Sequence, residues 1–117
     1  RVIFTGFVPH SKLWDYYQAA DVFVLLSKTE GLGLVFWEAM YSGLPVIGSN
    51  ASGIVETIGG EGERGFYWSE GDSPEVFREK IKKCLAGGAE VEEVKTRAKK
   101  YVEGKLLSTE TINDLML

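Results

Sequence analysis

The sequence has one cysteine, Cys84, and one histidine, His10, in 117 residues. A lone cysteine forms no internal disulfide, and metal sites of the Cys/His kind need several ligands. A Ser-His-Asp or Cys-His catalytic set would have to use His10, and no serine or cysteine near it carries a nucleophile motif. Apolar runs are short: none reaches the ~18 residues that would span a bilayer. The opening residues lack the charged-then-apolar pattern of a secretory leader. Nor is there a basic excess. The 17 acids outnumber the 13 Lys and Arg, for a net charge of −4, which argues against a nucleic-acid-binding surface. A local anion site stays open, because helix N-termini and backbone amides supply one without net positive charge. Internal repeats and low-complexity tracts are missing too. The expectation is a reducing, intracellular protein without a Cys/His metal site.

What is there is enough for one compact domain, with 44% hydrophobic residues to fill a core. The chain opens on Arg1 and runs straight into Val2-Ile3-Phe4, a candidate buried strand, as expected of a piece from the middle of a longer protein. Ser11 is a candidate N-cap for a helix with Leu13, Trp14, Tyr17 and Ala20 on one face. Val22 to Leu26 is continuously apolar, which suits a central parallel strand covered on both faces. After the polar turn Ser27 to Gly33, a helix is predicted from Leu34 to Ser42, stopping at Gly43. Pro45-Val46-Ile47 reads as the next strand, and Gly53 to Ile58 as a short helix. Gly59, Gly60, Gly62 and Gly65 mark a flexible surface loop before a strand at Phe66-Tyr67-Trp68. Ser73-Pro74-Glu75 is a strong helix start; Phe77, Ile81, Cys84 and Leu85 give that helix its apolar face, up to Gly87-Gly88. A further helix spans about Glu90 to Glu103, and Ser108 or Thr109 caps a last one carrying Ile112, Leu115 and Met116. Strands alternating with helices predict an α/β fold, a Rossmann-like parallel sheet with helices on both faces.

In open α/β sheets ligands bind beyond the carboxyl ends of the strands. Three loops are predicted there: Gly6 to His10, Ser27 to Gly33, and Gly48 to Gly53. In the second, Gly31 and Gly33 let backbone amides approach a ligand closely. The unsatisfied amides of residues 31 to 34 and the helix dipole would make a seat for a diphosphate. An ordinary strand-to-helix turn is the plainer alternative. Glu38 is the more specific signal. It stands in the nearly all-apolar stretch Leu34-Val35-Phe36-Trp37-Glu38-Ala39-Met40-Tyr41, with no Lys or Arg on the same helix. Desolvating a lone carboxylate is expensive, so Glu38 either borders a polar cavity or has a distant partner. Adjacent ribose hydroxyls could donate to it, and it lies roughly 6 Å along the helix from Leu34. A bond to a neighbouring loop's backbone is the alternative. Glu30 could accept hydroxyl bonds from a sugar, or be a solvated loop acid or helix cap. His10 could line a base pocket or sit on the surface. Cys84 reads as core, the three tryptophans as packing, and Lys95, Arg97, Lys99 and Lys100 as a solvated helix face.

Three pieces in order, Glu30-Gly31-Leu32-Gly33-Leu34, Glu38-Ala39-Met40 and Gly43-Leu44-Pro45-Val46-Ile47, resemble the C-terminal domain of family 4 glycosyltransferases, retaining enzymes of the GT-B fold. Glu30 and Glu38 have that family's spacing of two glutamates with seven residues between them (the EX7E motif). Gly6-Phe7-Val8, Ala20-Asp21-Val22, Ser27, Gly53-Ile54-Val55-Glu56, Gly65 and Gly71-Asp72 agree in order. The resemblance covers about residues 1–86, a core followed by C-terminal helices over 87–117 of one partial domain. It implies that Glu38 binds the donor ribose, that Glu30 is the catalytic-site acid facing the donor sugar, and that the amides of Leu32, Gly33 and Leu34 hold the diphosphate. Gly6, Val8, Ser27 and Gly31 would complete the donor site, with the Val8 backbone bordering the base. It implies a nucleotide-sugar substrate, no essential metal and no cofactor. The family's diphosphate-clamping Arg and Lys, and its N-terminal acceptor domain, would precede Arg1, so the chain alone is expected to be inert. A cytoplasmic enzyme is implied, with peripheral membrane association through that other domain. Phe36-Trp37 is bulkier than the usual residues before the second glutamate, and Leu106-Leu107 replaces an aromatic near the last helix. A glycogen- or starch-synthase-like enzyme, a nucleotide-sugar epimerase and a non-catalytic α/β binding module are the alternative readings. A receiver-type domain is disfavoured, because only Asp21 starts a strand.

Overall fold

The computed structural model describes residues 1–28 and 34–105. Its elements in order are α1 (His10–Ala19), β1 (Phe23–Leu25), α2 (Leu34–Tyr41), β2 (Val46–Gly48), α3 (Ser52–Ile58), β3 (Phe66–Tyr67), α4 (Pro74–Ala86) and α5 (Ala89–Lys105). The three strands form one parallel sheet in the order β1-β2-β3. Val24 pairs with Ile47, and Ile47 with Phe66.

Alternation along β2 divides the core. Val46 joins a cluster with Phe36, Ala39 and Met40 of α2, Ile54 and Ile58 of α3, and Tyr17 of α1. Ile47 points the other way, to Phe66, Cys84 of α4 and the half-buried Phe77 and Ile81. Period-2 geometry explains this split, since neighbouring side chains of a strand face opposite sides. Helix α5 serves both halves, Val94 in the second cluster and Ala98 and Val102 in the first. Both faces of the sheet are therefore covered, as the alternating pattern predicts.

Local chemistry fixes the boundaries. Pro74 begins α4, its N-cap Ser73 accepts a bond from the Val76 amide at 3.4 Å, and Glu75 stands at the positive end of the helix. At the end of α2, the Gly43 amide reaches the Met40 carbonyl and the Leu44 amide reaches that of Ala39, both at 3.0 Å. This is a Schellman closure, and it needs Gly43 at φ 86°. Leu44 and Ala39 then pack in the same cluster.

Four expectations need correction. Val2-Ile3-Phe4 is not a buried strand: residues 1–9 carry no sheet pairing, and Phe4 and Phe7 are more than nine-tenths exposed. A short apolar run becomes a strand only where a ladder partner and a covering layer meet it, and this run pairs with none of β1–β3 and stays exposed. β1 is not central but stands at the sheet's edge, half-buried. Ser11 does not cap α1. Pro9 holds that position with φ −58°, and its carbonyl accepts from the Lys12 amide at 2.9 Å, so the helix begins two residues earlier, at His10. Arg97 is more than a solvated cation: it donates to the carbonyls of Glu63 and Gly62 at 2.7 and 3.1 Å. Arg64 likewise reaches Thr57 and Glu56 and lies 4.0 Å over the Tyr101 ring, so two arginines tie down the glycine-rich loop. The predicted last helix with Ile112, Leu115 and Met116 lies outside the described residues.

Candidate functional site

The carboxyl ends of the three strands share one small cavity of about 180 Å³. Ser27 and Lys28 line it from behind β1, Ser49 from behind β2, and Trp68 and Ser69 from behind β3. These ends are laced together. Ser49 Oγ accepts from the Ser27 amide at 2.8 Å and also donates to the Ser27 carbonyl. The Trp68 amide reaches the Gly48 carbonyl at 3.0 Å, and the Asn50 amide reaches Ser69 Oγ at 3.2 Å. Close packing beneath supports the arrangement. A Cβ on Gly48 would come within 2.7 Å of Ile54 and 3.0 Å of Phe36, so glycine lets α2 and α3 approach the end of β2.

Helix α2 starts at this end of the sheet with Leu34, which is exposed at its tip. One turn on, Glu38 is buried to 5% exposure in an otherwise largely apolar helix. Among the described residues its partner is a side chain. His10 Nε2 lies 3.1 Å from Glu38 Oε2. An ionised carboxylate has only acceptors, so the ring nitrogen donates. His10 is the first residue of α1, and its side chain is 39% exposed. Seven residues on, two turns along the same helix face, Tyr17 is buried. Burial first, and the Glu38 charge second, push the Tyr17 phenol up to about 12. Elsewhere on α2, Ser42 Oγ donates to the Glu38 carbonyl at 2.9 Å, and Trp37 Nε1 donates to the buried Thr57 Oγ1 of α3 at 3.2 Å.

The structure thus joins Glu38 to His10, and Ser27 to Ser49. Gly6, with φ 69°, and Val8 lie in the N-terminal segment before α1. Glu30, Gly31, Leu32 and Gly33 lie outside the described residues. Sequence reasoning asked for a distant partner of Glu38 and left His10 between a base pocket and the surface. The acid without a cation on its own helix called for a partner, and nothing along the chain named His10 as that partner. Ser49 and Lys28 carried no comparable signal.

A larger hollow of about 470 Å³ lies beside β3, lined by Asn50, Glu61, Tyr67, Asp72 and Lys80 among others. Its polar groups bind one another. Glu61 accepts from the Tyr67 amide and from Lys80, Lys80 also donates to the Tyr67 carbonyl, and Asp72 accepts from the Ser69 amide. It is a surface depression whose charges are already paired, so the strand-end cavity and Glu38 hold more chemistry. Cys84 is core, with its thiol pushed up to about 11 chiefly by burial. Among the described residues no three His, Cys, Asp or Glu are grouped to hold a metal ion, and no helix is long and apolar enough to cross a membrane.

Comparison with known proteins adds an independent line. A family model described as glycosyl transferases group 1 matches residues 1–101. The chain is 46% identical over 72 residues to a sulfoquinovosyl transferase of Arabidopsis thaliana, covering 60% of this chain and 14% of that protein. It is 32% identical over 117 residues to an uncharacterized glycosyltransferase of Methanocaldococcus jannaschii, covering 97% and 30%. It is 42% identical over 65 residues to a GDP-mannose-dependent alpha-(1-6)-phosphatidylinositol monomannoside mannosyltransferase of Mycobacterium tuberculosis, covering 50% and 17%. The chain therefore spans less than a third of the length of each. Among solved structures, WaaG, a glycosyltransferase involved in lipopolysaccharide biosynthesis, matches with a TM-score of 0.64 and 24% identity, over 86% of this chain and 27% of that one. That likeness gives the fold, a part of the GT-B architecture.

Proposed function

The chain belongs to the family of glycosyl transferases group 1, and on that premise we propose that it supplies the donor-binding part of a retaining glycosyltransferase. The donor is a nucleotide-diphosphate sugar, and the acceptor a sugar, a glycan or a lipid-linked glycan. The observation that carries this reading is Glu38: a carboxylate at 5% exposure in an apolar helix that begins at the carboxyl end of the sheet. A carboxylate so placed accepts the paired hydroxyls of a ribose, while the amides at the helix start, Leu34 with Gly31, Leu32 and Gly33, take the diphosphate. Glu30 then faces the transferred sugar. Ser27 and Gly6 border the diphosphate side, and the Val8 backbone borders the base.

The chemistry follows from charge. As the glycosidic bond breaks, negative charge grows on the departing nucleoside diphosphate. Amides and a helix dipole already aimed at that position stabilise it without reorganising. Glu30 holds the sugar's hydroxyls and orients its anomeric carbon. No metal ion or cofactor is needed in this scheme. Acceptor binding, and cationic side chains that clamp the diphosphate, belong to the length by which the relatives exceed this chain. The reaction is assigned to the cytoplasm, at the membrane face where the acceptor is lipid-linked.

Calorimetry tests the reading. The natural protein that contains this sequence is titrated with UDP-, GDP- and ADP-sugars, GDP-mannose among them. One of these should bind, and Glu38→Ala should weaken it by roughly ten-fold or more, the worth of a hydrogen bond to a charged group. No binding across the panel, or binding untouched by Glu38→Ala, would sink the proposal. Product anomeric configuration, read by NMR, tests retention separately.

A further inference from the structure

We infer that His10 is a positioning residue: it holds the Glu38 carboxylate in the orientation that receives the donor ribose. This rests on the reading of Glu38 given above and adds to it the residue that sets the acid's geometry.

Among the described residues, His10 is the one hydrogen-bond partner of the Glu38 carboxylate, at 3.1 Å from Oε2. A glutamate has three side-chain torsions, and a ribose pair needs both oxygens in a fixed plane. Burial to 5% exposure limits the stem, but burial alone does not choose the rotation of the carboxylate about its last bond. A donor on one oxygen does. Each carboxylate oxygen has two lone pairs. The His10 bond uses one on Oε2, which leaves capacity on both oxygens for two adjacent hydroxyls.

His10 is itself held in place. It opens α1, whose start is set by Pro9 and the Lys12-to-Pro9 bond at 2.9 Å. Two turns on, Tyr17 anchors the same helix in the core, with its ring 6.1 Å from Phe23 of β1. Trp14 stacks edge-on to Tyr17 and to Tyr41 of α2 at 5.8 and 6.1 Å. The aromatic contacts thus clamp α1 against α2, and the clamp delivers the imidazole to the acid. Support of this kind for a site residue is what keeps a binding geometry from loosening. Since the neutral ring and its protonated form both present an N–H, the role depends on the donor hydrogen and not on charge.

The test compares ribose with a ribose that lacks its hydroxyls. UDP, GDP and ADP and their 2′,3′-dideoxy counterparts are titrated by calorimetry into the natural protein, into His10→Ala and into His10→Gln. Wild type should prefer the ribose form of the nucleotide it binds. His10→Ala should weaken that form by roughly ten-fold and leave the dideoxy form unchanged, so that the preference collapses. His10→Gln, which keeps an N–H donor, should restore much of it. Equal losses for both forms in His10→Ala would mark a merely structural histidine and overturn the inference. So would an intact preference in that variant. Should His10→Ala fail to fold, as judged by circular dichroism, His10→Gln and His10→Leu carry the comparison, the first keeping and the second losing the preference. If wild type itself shows no preference, or binds none of the three, the ribose reading of Glu38 fails, and the inference with it.

Discussion

Tyr17 carries a consequence of burial that can be measured without any ligand. Its phenol is pushed from 10.0 up to about 12, by desolvation first and the Glu38 charge second. An unfolded chain releases that proton near pH 10, while the folded chain keeps it. Below pH 10 both states are protonated and the contribution to stability is fully present. Between about 10 and 12 the unfolded state binds fewer protons, so stability falls as pH rises. Cys84 acts in the same direction from a lower start, its thiol moving from 9.0 to about 11. The melting temperature should therefore fall from about pH 9 upward. Tyr17→Phe should flatten the upper part of the slope and Cys84→Ala the lower; identical slopes in wild type and both variants would refute the assignment. At this scale the sequence was informative about demand and silent about distance. An acid in an apolar helix has to find a partner, which made Glu38 conspicuous. That the partner is His10 depends on how α1 lies across α2, and a separation of 28 residues along the chain says nothing of that.

Elements were legible where their boundaries are written in local chemistry. Ser73-Pro74-Glu75 starts α4, Gly43 ends α2, and Gly87, at φ 72°, ends α4; each acts within a turn of itself and needs no neighbour. Strand status is a different matter. Val2-Ile3-Phe4 and Val46-Ile47 are equally apolar, yet only the second is flanked by two ladder partners. The continuous apolar run Val22 to Leu26 likewise predicts two covered faces correctly and says nothing about edges: Val24 packs in one cluster and Phe23 and Leu25 in the other, while β1 still ends the sheet. The joint between elements also sets a prediction. Gly48 leaves no room for a methyl group, because Ile54 would be 2.7 Å and Phe36 3.0 Å from it. Gly48→Ala should destabilise the fold by about 1–3 kcal/mol, the usual cost of overpacking a core. Gly71→Ala, where a methyl group meets nothing within 4 Å, is the control. Urea denaturation of both reads the difference, and equal midpoints would show that α2 and α3 do not crowd β2 in solution.

At the scale of the whole molecule, charge is the constraint. The chain carries a net −4, while the proposed donor brings at least two negative charges of its own. The net charge of this chain supplies no long-range attraction for it, so this chain's own share of the binding rests on short-range groups at the strand ends. Two are in place there: the N-terminus of α2 and Lys28, which lines the strand-end cavity with Ser27 and Ser49. If backbone amides and a side-chain cation carry the phosphate charge, a divalent ion is superfluous. Transfer by the natural protein should then proceed at the same rate in excess EDTA as without it. Lys28→Ala should raise the donor Kd by roughly three- to ten-fold, since a charge-assisted contact at an exposed position is worth about 1 kcal/mol. Activity abolished by EDTA and restored by Mg²⁺ or Mn²⁺ would mean that a metal ion neutralises the diphosphate. An unchanged Kd in Lys28→Ala would transfer the whole task to the α2 amides and to cations elsewhere in the protein.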